Sequence, residues 1–202
     1  MRIGIDFDNT IVSYDRIFHS EALSQGLIKL TCPATKLAVG VCIRHKHGEL
    51  AWQKLQGRVY GPCMPEAEIM PGFKEFLFAA AEHGADIFVV SHKTKYSPHD
   101  DTQTNLRQAS LDWLQTHGLL DNKNGLRSNG IFFESTREDK VVRINSLGCT
   151  HFIDDLEEVL LHRDLDTTIS RFHFLPVDLA KNTEKVTVCR SWEEITRFVF
   201  QA

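Results

Sequence analysis

No two of the five cysteines (Cys32, Cys42, Cys63, Cys149, Cys189) make a Cys-x-x-Cys pair, and their number is odd. That fits reduced thiols in a cytosolic protein better than a disulfide framework. No stretch approaches the roughly 20 apolar residues of a membrane span. The opening MRIGIDFD lacks the longer apolar region and small-residue cleavage site of a signal peptide, so a cytoplasmic location is expected. There is no repeat and no low-complexity tract. Charge of one sign is also lacking: the net charge is −4 over 202 residues, which gives no general attraction to a nucleic-acid polymer or an anionic membrane. With 42% apolar and 25% charged residues, the composition is that of an ordinary globular protein.

What is present is an alternation of short apolar runs and amphipathic stretches. RIGID (Arg2–Asp6), DIFVVS (Asp86–Ser91), GIFF (Gly130–Phe133) and HFID (His151–Asp154) read as strands, with two late strands at Arg171–Leu175 and Lys185–Cys189. Helices are expected at Gly72–His83, ended by Gly84, and at Thr102–His117, with an Asp100/Gln103 capping box and Gly118 as its stop. Further helices follow: about Thr136–Leu147, capped by Ser135 and Glu138, then Leu156–His162, then Ser191–Phe200, capped by Ser191 and Glu194. Short strands alternating with longer helices predict an α/β fold, a Rossmann-like parallel sheet with helices on both faces. From Tyr14 to Pro71 the alternation fails. Asp15–Gln25, Thr35–Arg44 and Glu49–Val59 suit helices, although LAVGVCI also suits a strand, and Tyr60–Gly72 carries three prolines and two glycines and must be mostly turn. The expected organisation is a core of residues 1–13 and 72–202 with a small, mainly helical insertion at 14–71. Trp52 and Tyr60 are expected to pack that insertion against the core, or to stack on a sugar or base.

In a parallel sheet, ligands bind beyond the carboxyl ends of the strands. Asp6, Ser91 and Asp154 each end an apolar run. If their strands are neighbours, Asp6, Asp8, Asp154 and Asp155 share one crevice. Carboxylates at such range raise one another's pKa unless a cation is present. The candidate ligands are all oxygens, with no convergent His or Cys, and such a set suits Mg²⁺ held by one or two carboxylates and a substrate phosphate. Taken alone, DFDNT is also a plain strand end with a capping aspartate, Ser91 a loop residue and Lys140 a solvated first-turn lysine.

DFDNT after a strand, then VVSH, a lysine at a helix start and FIDDL resemble the four motifs of the haloacid dehalogenase superfamily of phosphohydrolases, in order, over Met1–Val12 and Gly72–Cys189. The resemblance implies Asp6 as nucleophile and Asp8 as general acid and base, its backbone carbonyl touching the metal. It further implies Lys140 as the charge-neutralising cation, and Thr10 and Ser91 as phosphoryl-side donors. His92 is added as a possible site-lining residue. Asp6, Asp8, Asp154 and Asp155 would make the Mg²⁺ site, and the insertion would be a cap. Lys93, two residues after Ser91, rivals Lys140 for the cationic role. Glu158, one turn beyond Asp155, is not assigned to metal. An acid at position 8 favours phosphate chemistry over carbon–halogen cleavage, which has no leaving oxygen to protonate.

The expected function is therefore Mg²⁺-dependent hydrolysis of a small phosphomonoester, a sugar phosphate or nucleotide, through an aspartyl-phosphate on Asp6. The alternatives are phosphoryl transfer to a substrate hydroxyl, as in a mutase, and a non-catalytic metal- or phosphate-binding regulatory role. Two other clusters are weaker. Arg44-His45-Lys46-His47 with the nearby cysteines matches no zinc spacing and reads as a solvated basic loop, or as one where Arg44, His45 or Arg58 meets a substrate anion. His99-Asp100-Asp101 reads better as a polar loop and cap than as a second metal site.

Overall fold

Arg2–Ile5 forms strand β1, as its apolar run predicts. The computed structural model describes residues 1–99, 102–120, 126–176 and 185–201. After β1 come β2 (Val12–Ser13), α1 (Asp15–Ser24), α2 (Lys36–Tyr60), a 3₁₀ turn (Met64–Glu66), β3 (Glu68–Ile69), α3 (Phe73–Glu82), β4 (Asp86–His92) and α4 (Leu106–Thr116). The chain continues through β5 (Leu126–Glu134), α5 (Arg137–Ser146), β6 (His151–Asp154), α6 (Glu157–Leu160), β7 (Ser170–Phe174), β8 (Thr187–Cys189) and α7 (Trp192–Phe200). Six strands form one sheet in the order β5-β4-β1-β6-β7-β8, each neighbouring pair parallel, and β2 pairs with β3 in a separate two-stranded sheet. The fold class read from the alternation is thus the one observed.

The strand order reverses beside β1. The chain moves outward through β4 and β5, then returns to place β6 on the other side of β1. Ile5 stands opposite Val89 on β4 and Ile153 on β6. This is a topological switch point, where neighbouring loops diverge and leave a crevice at the carboxyl ends.

Helices cover both faces. On one, Val141 and Ile144 of α5 and Val159 and Leu160 of α6 bury against Val90 and Phe152. On the other, Trp192 of α7 packs its ring against Phe73, Phe76 and Phe174 at centroid distances of 4.9, 4.7 and 5.6 Å. The central strand is squeezed between them. A Cβ on Gly4 would stand 2.6 Å from Phe152 Cδ2 and 3.0 Å from Cys149 Sγ. The phenyl ring is fully buried, so Gly4→Ala overpacks the sheet face. It is expected to cost about 2 kcal/mol, seen as a lower urea midpoint at unchanged slope.

The chain divides into two compact units. One comprises Met1–Val12, Ile69–Lys93 and His117–Ala202 and holds the large sheet; the other comprises Ser13–Glu68 and Thr94–Thr116. The second therefore takes in α4 as well as the insertion. Trp113 of α4 is buried there and donates its indole N–H to the Ala67 carbonyl at 2.9 Å. Periodicity identifies α4 as an amphipathic helix but is silent on which surface receives its apolar face.

Some local expectations hold and others are corrected. The helices expected at Thr35–Arg44 and Glu49–Val59 are both found within α2, separated by a break at Gly48 (φ 83°), and of its two readings LAVGVCI takes the helical one, with Thr35 Oγ1 capping it through the Ala38 amide. The cap of α5 is Thr136, which accepts from the Asp139 amide, rather than Ser135 with Glu138. The Ser191 cap of α7 is as expected: its Oγ accepts from the Glu194 amide, and Glu194 in turn accepts from the Arg190 amide. Helix α4 begins at Leu106, and Gln103 has a left-handed φ of 51° that no helix admits. Asp100 of the expected capping box, with Asp101 of the His99 cluster, lies outside the described residues. Trp52 is buried within the insertion itself, stacked on Phe18 at 4.9 Å and with the Arg44 guanidinium 4.8 Å from its ring centre.

Candidate active site

Every residue of the site belongs to the unit that holds the large sheet. Asp6 follows the last residue of β1, and its amide donates to the Ile153 carbonyl at 2.9 Å, which extends the β1–β6 ladder to the aspartate itself. Asp154 is the last residue of β6 and lies opposite His173 of β7. Ser91 lies near the end of β4, opposite Phe133. Three neighbouring strands thus deliver the three side chains to one end of the sheet.

Carboxylate oxygens of Asp6, Asp154 and Asp155 all lie within 4.8 Å of one another. Between Asp6 and Asp154 sits the Lys140 ammonium, 2.6 Å from Asp6 Oδ1 and 2.6 Å from Asp154 Oδ2. Lys140 is in the first turn of α5, where the helix dipole disfavours a positive charge. Two carboxylates more than offset that. Burial pulls the ammonium down, but Asp154 and Asp6 outweigh it and hold it above the ordinary lysine range. Burial is also the main influence on Asp6. It lifts the carboxyl from 3.8 to about 7 against the pull of Lys140, with Asp154 and Asp8 adding to the rise.

The other lysine takes the other aspartate. Lys93 Nζ lies 3.0 Å from Asp8 Oδ1 and 2.9 Å from Oδ2. The two lysines divide the aspartates between them: Lys140 meets Asp6, and Lys93 meets Asp8. Asp155 is tied to the first loop by Asn9, whose side-chain amide donates to Asp155 Oδ2 at 3.0 Å. Asn9 achieves this with φ 61°, a left-handed backbone that Asn tolerates better than most residues. The Asp155 carbonyl is met by His173 Nε2 at 3.0 Å, and Asp154 Oδ1 accepts from the Leu156 amide at 2.9 Å.

Two hydroxyls stand out. Thr10 Oγ1 and Ser91 Oγ are buried and have no hydrogen-bond partner among the described residues. An unmet buried hydroxyl costs about 1–3 kcal/mol, a cost that a ligand bound there would remove. His92 is placed differently. It is exposed, and its Nε2 meets the Ser135 carbonyl at 3.1 Å, because alternation along β4 turns it away from the face taken by Ser91 and Lys93. The structure therefore gathers Asp6, Lys140, Asp154 and Asp155, sets Asp8 on Lys93 beside them, and leaves His92 outside. Glu158 pairs with Arg137 at 2.8 Å.

Sequence reasoning passed over two residues. Asn9 carries no motif that assigns it a role, although Asn is a residue to suspect wherever the backbone must turn left-handed. Trp192 donates its indole N–H to the Thr10 carbonyl at 3.0 Å and so anchors the loop that carries Asp8. Nothing local to SWEEITRF signals that contact, which spans 182 positions.

The donor set fits a hard divalent cation. Asp6, Asp8, Asp154 and Asp155 offer four carboxylates against the two ammonium groups of Lys140 and Lys93, which leaves two formal negative charges when all are ionised. The nearby donors are oxygens, as Mg²⁺ requires.

No protein-family model matches the sequence, and no curated protein matches it. Solved structures do match. A HAD family hydrolase from Deinococcus radiodurans with bound phosphate and sodium aligns over 99% of this chain and 95% of that one, with a TM-score of 0.61 and 13% identity. The HAD-hydrolase YfnB from Bacillus subtilis, bound to magnesium, aligns over 98% of both chains with a TM-score of 0.52 and 13% identity. A dehalogenase in an intermediate complex aligns over 98% of this chain and 96% of that one, with a TM-score of 0.58 and 13% identity. The chain has the haloacid dehalogenase-like fold. Among the described residues, no helix is long and apolar enough to cross a membrane.

Proposed function

We infer that the protein is a Mg²⁺-dependent phosphohydrolase that cleaves a small phosphomonoester through an aspartyl-phosphate on Asp6. The observation that carries this is the convergence of Asp6, Lys140 and Asp154 at three strand ends, with the unpartnered hydroxyls of Ser91 and Thr10 in the same unit. The magnesium of one structural neighbour and the phosphate of another support the same reading.

Asp6, Asp154 and Asp155, with the backbone carbonyl of Asp8, would hold the cation. When bound, it keeps Asp6 ionised and withdraws charge from the phosphoryl oxygens. Lys140 holds Asp6 Oδ1 and leaves Oδ2 to face phosphorus. Attack forms the Oδ2–P bond and breaks the bond from phosphorus to the leaving oxygen, which takes the proton of Asp8. In the second half Asp8 takes a proton from water, the water oxygen bonds to phosphorus, and Asp6 is released. Ser91 and Thr10 donate to the phosphoryl oxygens, where charge must be stabilised as it spreads. On the same reading the inserted unit selects the substrate, and the protein works in the cytoplasm on a phosphorylated metabolite.

The test is phosphate release from an aryl phosphate. Release should require Mg²⁺, stop with EDTA and return when Mg²⁺ is restored. EDTA-resistant turnover would refute the metal assignment. Halide release from a haloacid, with no phosphate release, would move the chain to the chemistry of its dehalogenase neighbour. Net transfer to an added sugar would make it a phosphotransferase.

A further inference from the structure

We propose that Lys93 is a positioning residue for the acid–base step, holding the Asp8 carboxylate in the one orientation from which it serves the leaving oxygen. The proposal rests on the phosphohydrolase reading and adds to it a division of labour between two buried lysines.

The geometry is specific. Lys93 closes the end of β4, and its amide donates to the Glu134 carbonyl of β5 at 2.9 Å, so its backbone is part of the sheet. Its side chain is only 3% exposed, against 20% for that of Asp8. The ammonium lies 5.3 Å from the centre of the Phe7 ring. It reaches both oxygens of Asp8, at 3.0 and 2.9 Å, rather than one. A single contact leaves a carboxylate free to rotate about χ2; contact with both oxygens does not. The Phe7 ring beside the ammonium is itself fixed, since it stands edge-on to Phe133 at 6.1 Å and is fully buried.

A buried ion pair is poor evidence for stability, because removing two charges from water costs about as much as their attraction returns. Burying an ammonium here therefore calls for another gain. A carboxylate at the edge of the site must pass a proton to and from atoms that change position during turnover. Fixing its orientation removes an entropic cost from each transfer. Lys140 cannot supply this, since its ammonium is committed to Asp6 and Asp154.

The experiment compares Lys93→Met, Lys93→Arg and Asp8→Asn on two esters, nitrophenyl phosphate and a simple alkyl phosphate. The aryl leaving group needs little protonation; the alkoxide needs it fully. Lys93→Met is expected to lower kcat on the alkyl ester about 100-fold and on the aryl ester about tenfold or less, with KM nearly unchanged on both. Lys93→Arg should recover a good part of the alkyl activity. The double variant Lys93→Met/Asp8→Asn should be no slower than Asp8→Asn alone, because both changes remove one function.

Equal losses on the two esters, or losses that multiply in the double variant, would overturn the proposal and leave Lys93 a structural residue. Retained aryl activity shows that the variant folds; if Lys93→Met does not fold, the same comparison of the two esters on Lys93→Gln decides. Wild-type protein that hydrolyses neither ester would instead overturn the phosphohydrolase reading, and this proposal with it.

Discussion

Asp6→Asn is expected to abolish phosphate release while making the cation-free protein more stable at neutral pH. Turnover should fall about 10⁴-fold or more, because an amide cannot attack phosphorus and no other carboxylate takes its place. The stability change has the opposite sign. With no cation bound, burial holds the Asp6 proton to about pH 7, whereas in the unfolded chain it leaves near 3.8. Between those values folding takes up a proton, so the wild-type loses stability as pH rises through that window, and the loss is complete above it. The full difference is on the order of a few kcal/mol. Urea unfolding in EDTA should therefore find Asp6→Asn close to wild-type at pH 4 and clearly more stable at pH 8. An Asp6→Asn protein less stable than wild-type at pH 8 would show that the buried carboxylate is not a stored cost.

Lys140→Met should have the second largest effect, and here activity and stability fall together. The ammonium is 1% exposed and lies 2.6 Å from each of two carboxylates. Removing it leaves Asp6 and Asp154 within 4.8 Å of each other with no cation between them. Breaking a buried pair in this way costs about 3–5 kcal/mol. The cost should be smaller at pH 5 than at pH 8, because Asp6 then carries its proton. Turnover should drop about 10³-fold through loss of charge stabilisation at the nucleophile. Adding Asp6→Asn to Lys140→Met should restore stability without restoring activity. A Lys140→Met protein as stable as wild-type at pH 8 in EDTA would mean that Lys140 does not bridge the two carboxylates in solution.

These two residues also mark how far the sequence could be read. The strands that end in Asp6, Ser91 and Asp154 are legible because each is a short apolar run closed by a polar residue, and the parallel sheet follows from the helices between them. The caps at Thr35 and Thr136 needed the backbone: Ser135 and Thr136 are adjacent candidates, and only the turn decides which oxygen faces the amide. Helix α4 was legible as a helix, but its packing was not, since Trp113 finds its partner 46 positions away at Ala67.

By itself, then, the chain determined the α/β alternation, the acidic strand ends and the oxygen-only character of the site, because these depend on burial pattern and residue type over a few neighbouring positions. Only the tertiary structure decided that Lys140 reaches Asp6 across 134 positions, that Lys93 reaches Asp8 across 85, that Asn9 ties itself to Asp155, and that His92 turns away. Those pairings depend on which strands lie side by side. Strand order is chosen by the burial of the whole sheet, a sum over distant residues that no local pattern contains.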